Sequence, residues 1–175
     1  MGERSFALAE IPHLARRTLW SLRKPAPDAA DEAWLLEMLT ANERDLYFEM
    51  DEVDRAHALS CARAVENETA EVIVASAMHD VGKIEASLGT PGRVVATICG
   101  LSIADRANAW PPNRRGLRGR IARYLDHSER GAARLLDAGS SELAVAWARE
   151  HHFGPERRTI DPDMFALLLA ADDAD

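Results

Sequence analysis

The chain has 175 residues, of which 47% are hydrophobic and 29% are charged, and this balance predicts a folded domain rather than a disordered segment. Its formal net charge of −8 disfavours nucleic acid or an anionic membrane as the main partner, because both attract basic proteins. The sequence contains no run of about 18 uncharged apolar residues, so no membrane-spanning helix is expected.

Helical patterns follow one another along the chain. Helices are predicted over 5–24, 31–39, 55–65, 69–80, 93–108, 118–125, 128–138 and 164–172, with two more that start at Thr40 and at Ser140 or Ser141. The acidic segment 51–54 is either a short turn or another helix start. Thr40 and Glu43 have the spacing of a capping box, and Asp161 precedes a proline that suits the first helical position. The run 72–74 is β-branched, but its alanine neighbours favour a helix. We therefore predict an all-α bundle of roughly seven to nine helices.

The two cysteines, Cys61 and Cys99, lie in apolar helical surroundings. Such placement is typical of buried thiols, and we interpret it as a sign of a reducing compartment, the cytoplasm. The N-terminus has charged residues at 3, 4, 10 and 16 and shows no uninterrupted apolar stretch of the signal-peptide type.

A histidine and an aspartate stand side by side in the stretch Ala75–Lys83, at the end of an apolar run. Gly82 follows them at a position where a helix end favours a left-handed residue. A buried carboxylate beside a buried imidazole is costly unless a positive charge compensates it. A metal ion would do so, and this ligand pair suits Mn, Fe, Co or Zn. A capping pair at a surface turn is the alternative, and these residues alone leave both interpretations open.

Five of the six histidines lie in or at the ends of predicted apolar helices, namely His57, His79, His127, His151 and His152. A single histidine in such a place is usually a core residue, but five of them together favour a metal site in the interior of a helical bundle. Their spacing excludes a zinc finger, and the sequence lacks the pattern of zinc proteases.

The order of these residues resembles the HD superfamily of metal-dependent phosphohydrolases over about 54–173. The elements that match are an upstream histidine, His57, then His79-Asp80-Val81-Gly82-Lys83, and a late aspartate, Asp172, after two alanines. The segment from His127 to Gly131 and the doublet at 151–152 resemble the HD-GYP branch and its binuclear relatives. No Gly-Tyr-Pro tripeptide follows the doublet, which argues against cyclic di-GMP as the substrate.

The resemblance implies an HD metal-binding domain over 54–175, with N-terminal helices over 1–53 packed on it in a single globular unit. It also implies two divalent transition metal ions, Fe, Mn, Co or Zn. Their ligands would be His57, His79, Asp80 and Asp172 for the basic site, with Asp80 bridging, and His127, His151 and His152 for the second ion. Val53 stands where trinuclear members have a glutamate, which favours two ions. Asp173 is the alternative to Asp172.

The implied function is hydrolysis of a phosphomonoester or phosphodiester by a hydroxide that bridges the two metal ions. Asp80 and Lys83 would be catalytic, with Lys83 meeting a substrate phosphate. The expected partner is a small phosphate ester or nucleotide, without a stable nucleic-acid complex or a membrane, and a homodimer is left open. Arg114 to Arg123 either recruit a nucleotide or form a solvated face.

Two other functions stay open. HD-type proteins with a di-iron centre activate O₂, and this imidazole-rich ligand set could hold iron in that way. A non-catalytic domain that binds a nucleotide and signals through a partner is the second alternative. We expect hydrolysis, because the full set of ligands is present and phosphohydrolases are the more frequent members of the family.

Overall fold

The computed structural model describes residues 26–86, 88, 110–113 and 115–174, and the statements below concern these residues. They form eight α-helices and two short 3₁₀ helices, without a strand, so the prediction of an all-α fold is confirmed. The helices predicted over 5–24 and 93–108 lie outside the described residues, as do His13, Cys99 and Arg114. No α-helix in the described part has the length and apolar character that crossing a membrane requires.

The α-helices in chain order are α1 (Ala29–Met38), α2 (Ala41–Glu49), α3 (Glu52–Ala64), α4 (Ala70–Met78), α5 (Leu117–Leu125), α6 (His127–Ala138), α7 (Glu142–Glu150) and α8 (Pro162–Asp172). The 3₁₀ helices are Val81–Ala86, directly after the His79–Asp80 pair, and Pro155–Arg157, between α7 and α8.

Side chains that precede the helices determine where several of them begin. Thr40 and Glu43 form the predicted capping box at the start of α2. Asp161 accepts hydrogen bonds from two backbone amides of α8, and Pro162 occupies its first turn, as predicted. Of the two serines considered, Ser141 caps α7. Asp51 caps α3, which therefore begins at Glu52, one turn earlier than the apolar pattern predicted.

Helix α4 lies at the centre of the fold, with every residue from Val72 to Met78 buried. Helices α3 and α7 pack on it, and α6 packs on α7 and on the 3₁₀ helix at 81–86. Leu35 of α1 and Tyr47 of α2 belong to the same apolar core as Trp147 and Phe165. Helices α1 and α2 thus share one core with the helices that carry the histidines.

Gly82 does not have the left-handed conformation that the sequence suggested. The described glycines with positive φ are Gly116 and Gly139, whereas Gly82 lies inside a 3₁₀ helix. A Cβ atom at Gly82 would overlap the carbonyl oxygen of His127 and lie 2.6 Å from the backbone nitrogen of Gly131. Glycine is needed here because two backbones meet without a side chain between them.

Candidate metal centre

The seven predicted ligands lie together, although more than a hundred positions separate the first from the last. They are His57 in the middle of α3, His79 and Asp80 directly after α4, His127 at the start of α6, His151 and His152 directly after α7, and Asp172 at the end of α8. All are buried except His152, which is exposed. The structure thus brings His57 and His127 to the 79–80 pair, and the binding of metal by these residues stays a prediction.

Asp80 faces histidines on both sides. Its Oδ2 atom lies 3.8 Å from Nε2 of His57 and 3.6 Å from Nε2 of His79. Its Oδ1 atom lies 3.3 Å from Nε2 of His127 and 3.9 Å from Nε2 of His151. Each carboxylate oxygen is therefore directed at a different pair of imidazoles, which is the arrangement of a carboxylate that bridges two cations.

Asp172 completes the group of ligands on the Oδ2 side. Its Oδ1 atom lies 3.1 Å from Nε2 of His57 and 3.3 Å from Nε2 of His79. Asp173, the alternative considered from the sequence, is exposed at the C-terminal cap of α8. We name His57, His79 and Asp172 the inner group.

The group on the Oδ1 side consists of imidazoles, and we name His127, His151 and His152 the outer group. Their ring nitrogens can be chosen so that all three lie within 4.8 Å of one another. Nε2 of His127 is 3.4 Å from Nε2 of His151, and the rings of His151 and His152 are 4.0 Å apart between centroids.

Hydrogen bonds to backbone carbonyls select the tautomer of three of these histidines. The Nδ1 atoms of His79, His127 and His151 lie 2.8, 2.7 and 3.0 Å from the carbonyl oxygens of Ser76, Tyr124 and Ala148. A carbonyl oxygen only accepts, so each Nδ1 donates, and in a neutral ring Nε2 then carries a lone pair. In metal sites, hydrogen bonds from the ring nitrogen that does not bind the metal hold imidazoles in position, and the three Nδ1 bonds are of this kind.

The hydrogen bonding of the Nε2 atoms shows whether these residues fit a metal ion. Nε2 of His79 is buried and has no hydrogen-bond partner within the described part of the chain, although the Asp172 carboxylate is close. The Nε2 atoms of His127 and His151 face each other as two acceptors. Buried polar atoms normally have partners; a cation in the inner group would satisfy Nε2 of His79, and a cation in the outer group would satisfy those of His127 and His151. The donor set of imidazole nitrogens and carboxylate oxygens fits a divalent transition metal.

The charges around Asp80 keep it ionised. Burial alone would raise the pKa of Asp80, but Lys83, followed by His79 and His127, holds that pKa well below its usual value. Burial, followed by the neighbouring His152, His79 and His127, lowers the pKa of His151 well below its usual value. At neutral pH the centre therefore offers an anionic bridging carboxylate and an uncharged imidazole, both of which are the states that bind metal.

Lys83 forms an ion pair with Oδ2 of Asp80. The lysine lies three residues later, in the 3₁₀ helix, and its side chain is only partly buried. The sequence suggested that Lys83 meets a substrate phosphate. The structure places its ammonium group at the edge of the centre, and the contact with phosphate stays a prediction.

The arginines of the 114–123 segment that the structure describes have different environments. The guanidinium of Arg123 donates to the carbonyl oxygens of Glu85 and Pro112, at 2.7 and 2.6 Å, and that of Arg120 donates to Ala86 at 3.2 Å. These two side chains hold the backbone beside the 3₁₀ helix. Their hydrogen bonds therefore favour a structural role for Arg120 and Arg123 over the recruitment of a nucleotide.

The sequence interpretation missed the position of Cys61, which it treated as a packing thiol. The Cys61 sulfur lies 3.5 Å from Nε2 of His57, and ligand atoms of Cys61, His57 and Asp172 fit within 4.8 Å of one another. The sequence contained a signal for this contact, because Cys61 follows His57 by four residues and residues four apart occupy the same face of a helix.

Glu150 is a second residue that the sequence interpretation did not single out. It is buried at the end of α7, directly before the doublet, and its carboxylate accepts hydrogen bonds from the backbone amide of Thr159, at 2.7 Å, and from that of Ile160, at 3.3 Å. The hydroxyl of Thr159 donates to it as well. Glu150 thus ties the end of α7 to the segment that leads into α8.

Comparison of the chain with known protein families, with curated proteins and with solved structures found no match. The geometry of the centre is that of two groups of ligand atoms on opposite sides of one carboxylate. In metalloenzymes such an arrangement holds two ions close enough for both to act on one phosphoryl group.

Proposed function

We propose that the chain is a metal-dependent phosphohydrolase of the HD type that cleaves a small phosphomonoester or phosphodiester, such as a nucleotide. The observation that supports this proposal best is the environment of Asp80, whose two carboxylate oxygens are directed at two separate pairs of imidazoles. The proposal includes two divalent transition metal ions and a cytoplasmic location, the latter because thiols persist in a reducing compartment.

The protein's own residues would prepare the centre for such ions. The inner group would hold one ion and the outer group the other, with Asp80 between them. Such ions would supply Lewis acidity toward a phosphoryl oxygen and would lower the pKa of bound water. The Nδ1 bonds to backbone carbonyls hold three of the rings in position before a substrate arrives, which lowers the cost of reorganisation.

The substrate would approach from the side of the outer group. His152 of the outer group is exposed, whereas only 1% of the His79 side chain in the inner group is accessible. The Lys83 ammonium pairs with Oδ2 of Asp80, the oxygen that faces the inner group, and from there it would stabilise the negative charge that develops on the phosphoryl oxygens.

The test combines metal analysis with a phosphate-release assay. The full chain is purified, its metal content is measured, and it is reloaded with Mn²⁺, Fe²⁺, Co²⁺ or Zn²⁺ before hydrolysis of p-nitrophenyl phosphate and bis-p-nitrophenyl phosphate is followed. We expect metal-dependent turnover that Asp80→Asn lowers by more than about 100-fold, since the variant loses the bridging anion. Asp137→Asn is the matched control, because Asp137 is exposed on α6.

Three outcomes would contradict the proposal. A chain that binds no divalent metal has no catalytic centre of this kind. Equal turnover by the Asp80→Asn and Asp137→Asn variants would place the chemistry elsewhere. Oxygen uptake by the Fe²⁺-loaded chain, with no phosphate release under any metal, would favour the di-iron oxygenase.

A further inference from the structure

A cation of the chain itself lies on the inner side of Asp80. The ammonium of Lys83 forms an ion pair with Oδ2, the oxygen that also faces Nε2 of His57, at 3.8 Å, and Nε2 of His79, at 3.6 Å. The inner ion of the proposed centre would bind to this same oxygen. Lys83 and the inner ion are therefore two cations with one preferred position.

The charges on the inner side favour one of these cations at a time. Asp80 and Asp172 are both buried, so a divalent ion between them is neutralised by two carboxylates. An ammonium that stayed at Oδ2 would add a positive charge beside that ion, and burial makes the repulsion between two cations strong. Burial alone would raise the pKa of Asp80, and the ammonium of Lys83 is the strongest of the charges that lower it. Lys83 is thus the main counter-ion that the chain itself supplies to Asp80.

The residue type at position 83 suits a cation that can leave. The chain has 21 basic residues, and only Lys24 and Lys83 are lysines. Arginine holds a carboxylate through two parallel hydrogen bonds, whereas lysine is a point charge on a flexible four-carbon stem. The backbone amide of Lys83 is fixed by a hydrogen bond of 3.0 Å to the carbonyl oxygen of Asp80, while 12% of its side chain is accessible. The ammonium can therefore move from Oδ2 toward solvent without a movement of the backbone.

We propose that the Lys83 ammonium takes the place of the inner metal ion in the metal-free chain, and that binding of the ion displaces it from Oδ2 of Asp80. This inference rests on the metal centre of the proposed function and deepens it, because it assigns a regulator to that centre. The pair with Lys83 lowers the affinity for the inner ion, since the ion binds only when the pair is broken. The released ammonium remains attached to the 3₁₀ helix beside the centre, where a phosphate can contact it.

The experiment measures the dissociation constant of the first Co²⁺ ion by equilibrium dialysis of the full chain. Lys83→Met removes the competing charge and keeps a side chain of similar length, so we expect Co²⁺ to bind at least about 10-fold more tightly. Lys83→Arg keeps the charge and can hold the carboxylate through two hydrogen bonds, so we expect Co²⁺ to bind at least about 10-fold more weakly. Arg44→Gln removes a positive charge at an exposed position of α2 and is the matched control, which should leave the constant unchanged.

Urea unfolding provides the reciprocal measurement. In the metal-free state, Lys83→Met leaves buried Asp80 without this counter-ion and should unfold at a lower urea concentration than the unmodified chain. At saturating Co²⁺ the two proteins should unfold at the same concentration, because the pair is already broken in the loaded chain. An equal loss of stability with and without Co²⁺ would show that the ion does not displace Lys83.

The binding constants also separate this inference from the proposed function. If Lys83→Arg binds Co²⁺ as tightly as the unmodified chain does, the ammonium only repels the ion from a distance, and the inference is wrong. Weaker binding by Lys83→Met than by the unmodified chain would also overturn it, and both results leave the metal centre standing. No binding of Co²⁺ by any of these proteins would overturn the centre and the inference together. Lys83→Arg keeps a cation beside Asp80, so it gives an answer even if Lys83→Met fails to fold.

Discussion

The two sides of Asp80 differ in charge and in burial. The inner group is fully buried and contains a carboxylate, Asp172, beside two imidazoles. The outer group consists of three imidazoles, one of which, His152, is exposed. The inner group is assembled from α3, α4 and α8, whereas the outer group comes from the adjacent helices α6 and α7.

This difference predicts unequal affinities. A divalent ion in the inner group would be neutralised by Asp172 together with a share of Asp80, in surroundings where unpaired charges are costly to bury. An ion in the outer group would have only the other oxygen of Asp80 as an anionic ligand and would lie nearer to solvent. We therefore expect the inner ion to bind first and tightly, and the outer ion to bind weakly and to meet the substrate.

The largest expected effects come from two single variants, each of which removes one imidazole from one side of Asp80. His79→Ala should lower the metal content below one ion per chain and reduce turnover by at least about 100-fold, because it removes a ligand from the tight site. His152→Ala should keep one ion and reduce turnover by about 10-fold at saturating metal. Equilibrium dialysis followed by elemental analysis measures the content, and p-nitrophenyl phosphate hydrolysis measures the rate.

The assignment of a tight inner ion and a weak outer ion is wrong if His79→Ala and His152→Ala change the metal content alike. Equal metal loss in both would mean that the two groups form one site rather than two. Loss of the tight ion in His152→Ala alone would reverse the assignment of inner and outer affinity. Helical circular dichroism of both variants before metal loading checks that the bundle still folds.

The next effect concerns the spacing between the two groups. Gly82 and Gly131 bring the 3₁₀ helix against α6, and α6 carries His127 at its start. Gly82→Ala inserts a methyl group where two backbones already touch, so α6 must move away from Asp80. We expect a loss of about 2–3 kcal/mol in the free energy of unfolding, the upper range of overpacking effects. Turnover should fall while the inner ion is retained.

Gly139→Ala is the control for this prediction. Gly139 caps α6 with φ of 77°, and a Cβ atom there meets nothing within 4 Å. Its substitution should cost about 1 kcal/mol through backbone strain alone and leave the content of both ions unchanged. Urea unfolding gives the free energies. A Gly82→Ala protein as stable as the unsubstituted one, with both ions bound, would show that the close backbone contact does not determine the spacing.

Much of the fold could be predicted from local signals. The capping box at Thr40 and the Asp161-Pro162 start of α8 are encoded within four residues, and both are present in the structure. The apolar pattern predicts the start of α3 at Arg55, whereas the acidic segment 51–54 permits either a short turn or a helix start. The N-cap Asp51 decides for the helix start, because the first turn of α3 is acidic rather than apolar. Local chemistry thus predicts helix ends better than hydrophobic periodicity does.

The site residues could be named from the sequence, but their division into two groups could not. Their order along the chain gives no information about which oxygen of Asp80 faces which histidine, since that depends on how α6 packs on the 3₁₀ helix at 81–86 and how α8 packs on α4. Gly82 was assigned a left-handed conformation at a helix end for a similar reason. Its close contact with Gly131 joins two segments about fifty residues apart, and no local pattern reports such a contact.

The smallest expected effect tests the link between the two sides. Glu150 ends α7, directly before the outer histidines, and binds the amides of Thr159 and Ile160, which lead into α8 and so toward Asp172 of the inner group. Glu150→Gln keeps an acceptor oxygen but loses the charge of these hydrogen bonds, so we expect a cost of about 1 kcal/mol in the free energy of unfolding. Turnover should fall about twofold, through weaker binding of the outer ion.

Glu150→Ala removes the charged acceptor of three hydrogen bonds, two from backbone amides and one from the Thr159 hydroxyl, and should cost about 2 kcal/mol. Glu142→Gln, at an exposed position of α7, is the control and should change neither stability nor metal content. If Glu150→Ala weakens the outer ion and leaves the inner ion unchanged, α7 alone depends on this carboxylate. If both ions weaken equally, Glu150 positions α8 as well, and the two groups are coupled through the backbone between α7 and α8 in addition to their shared Asp80.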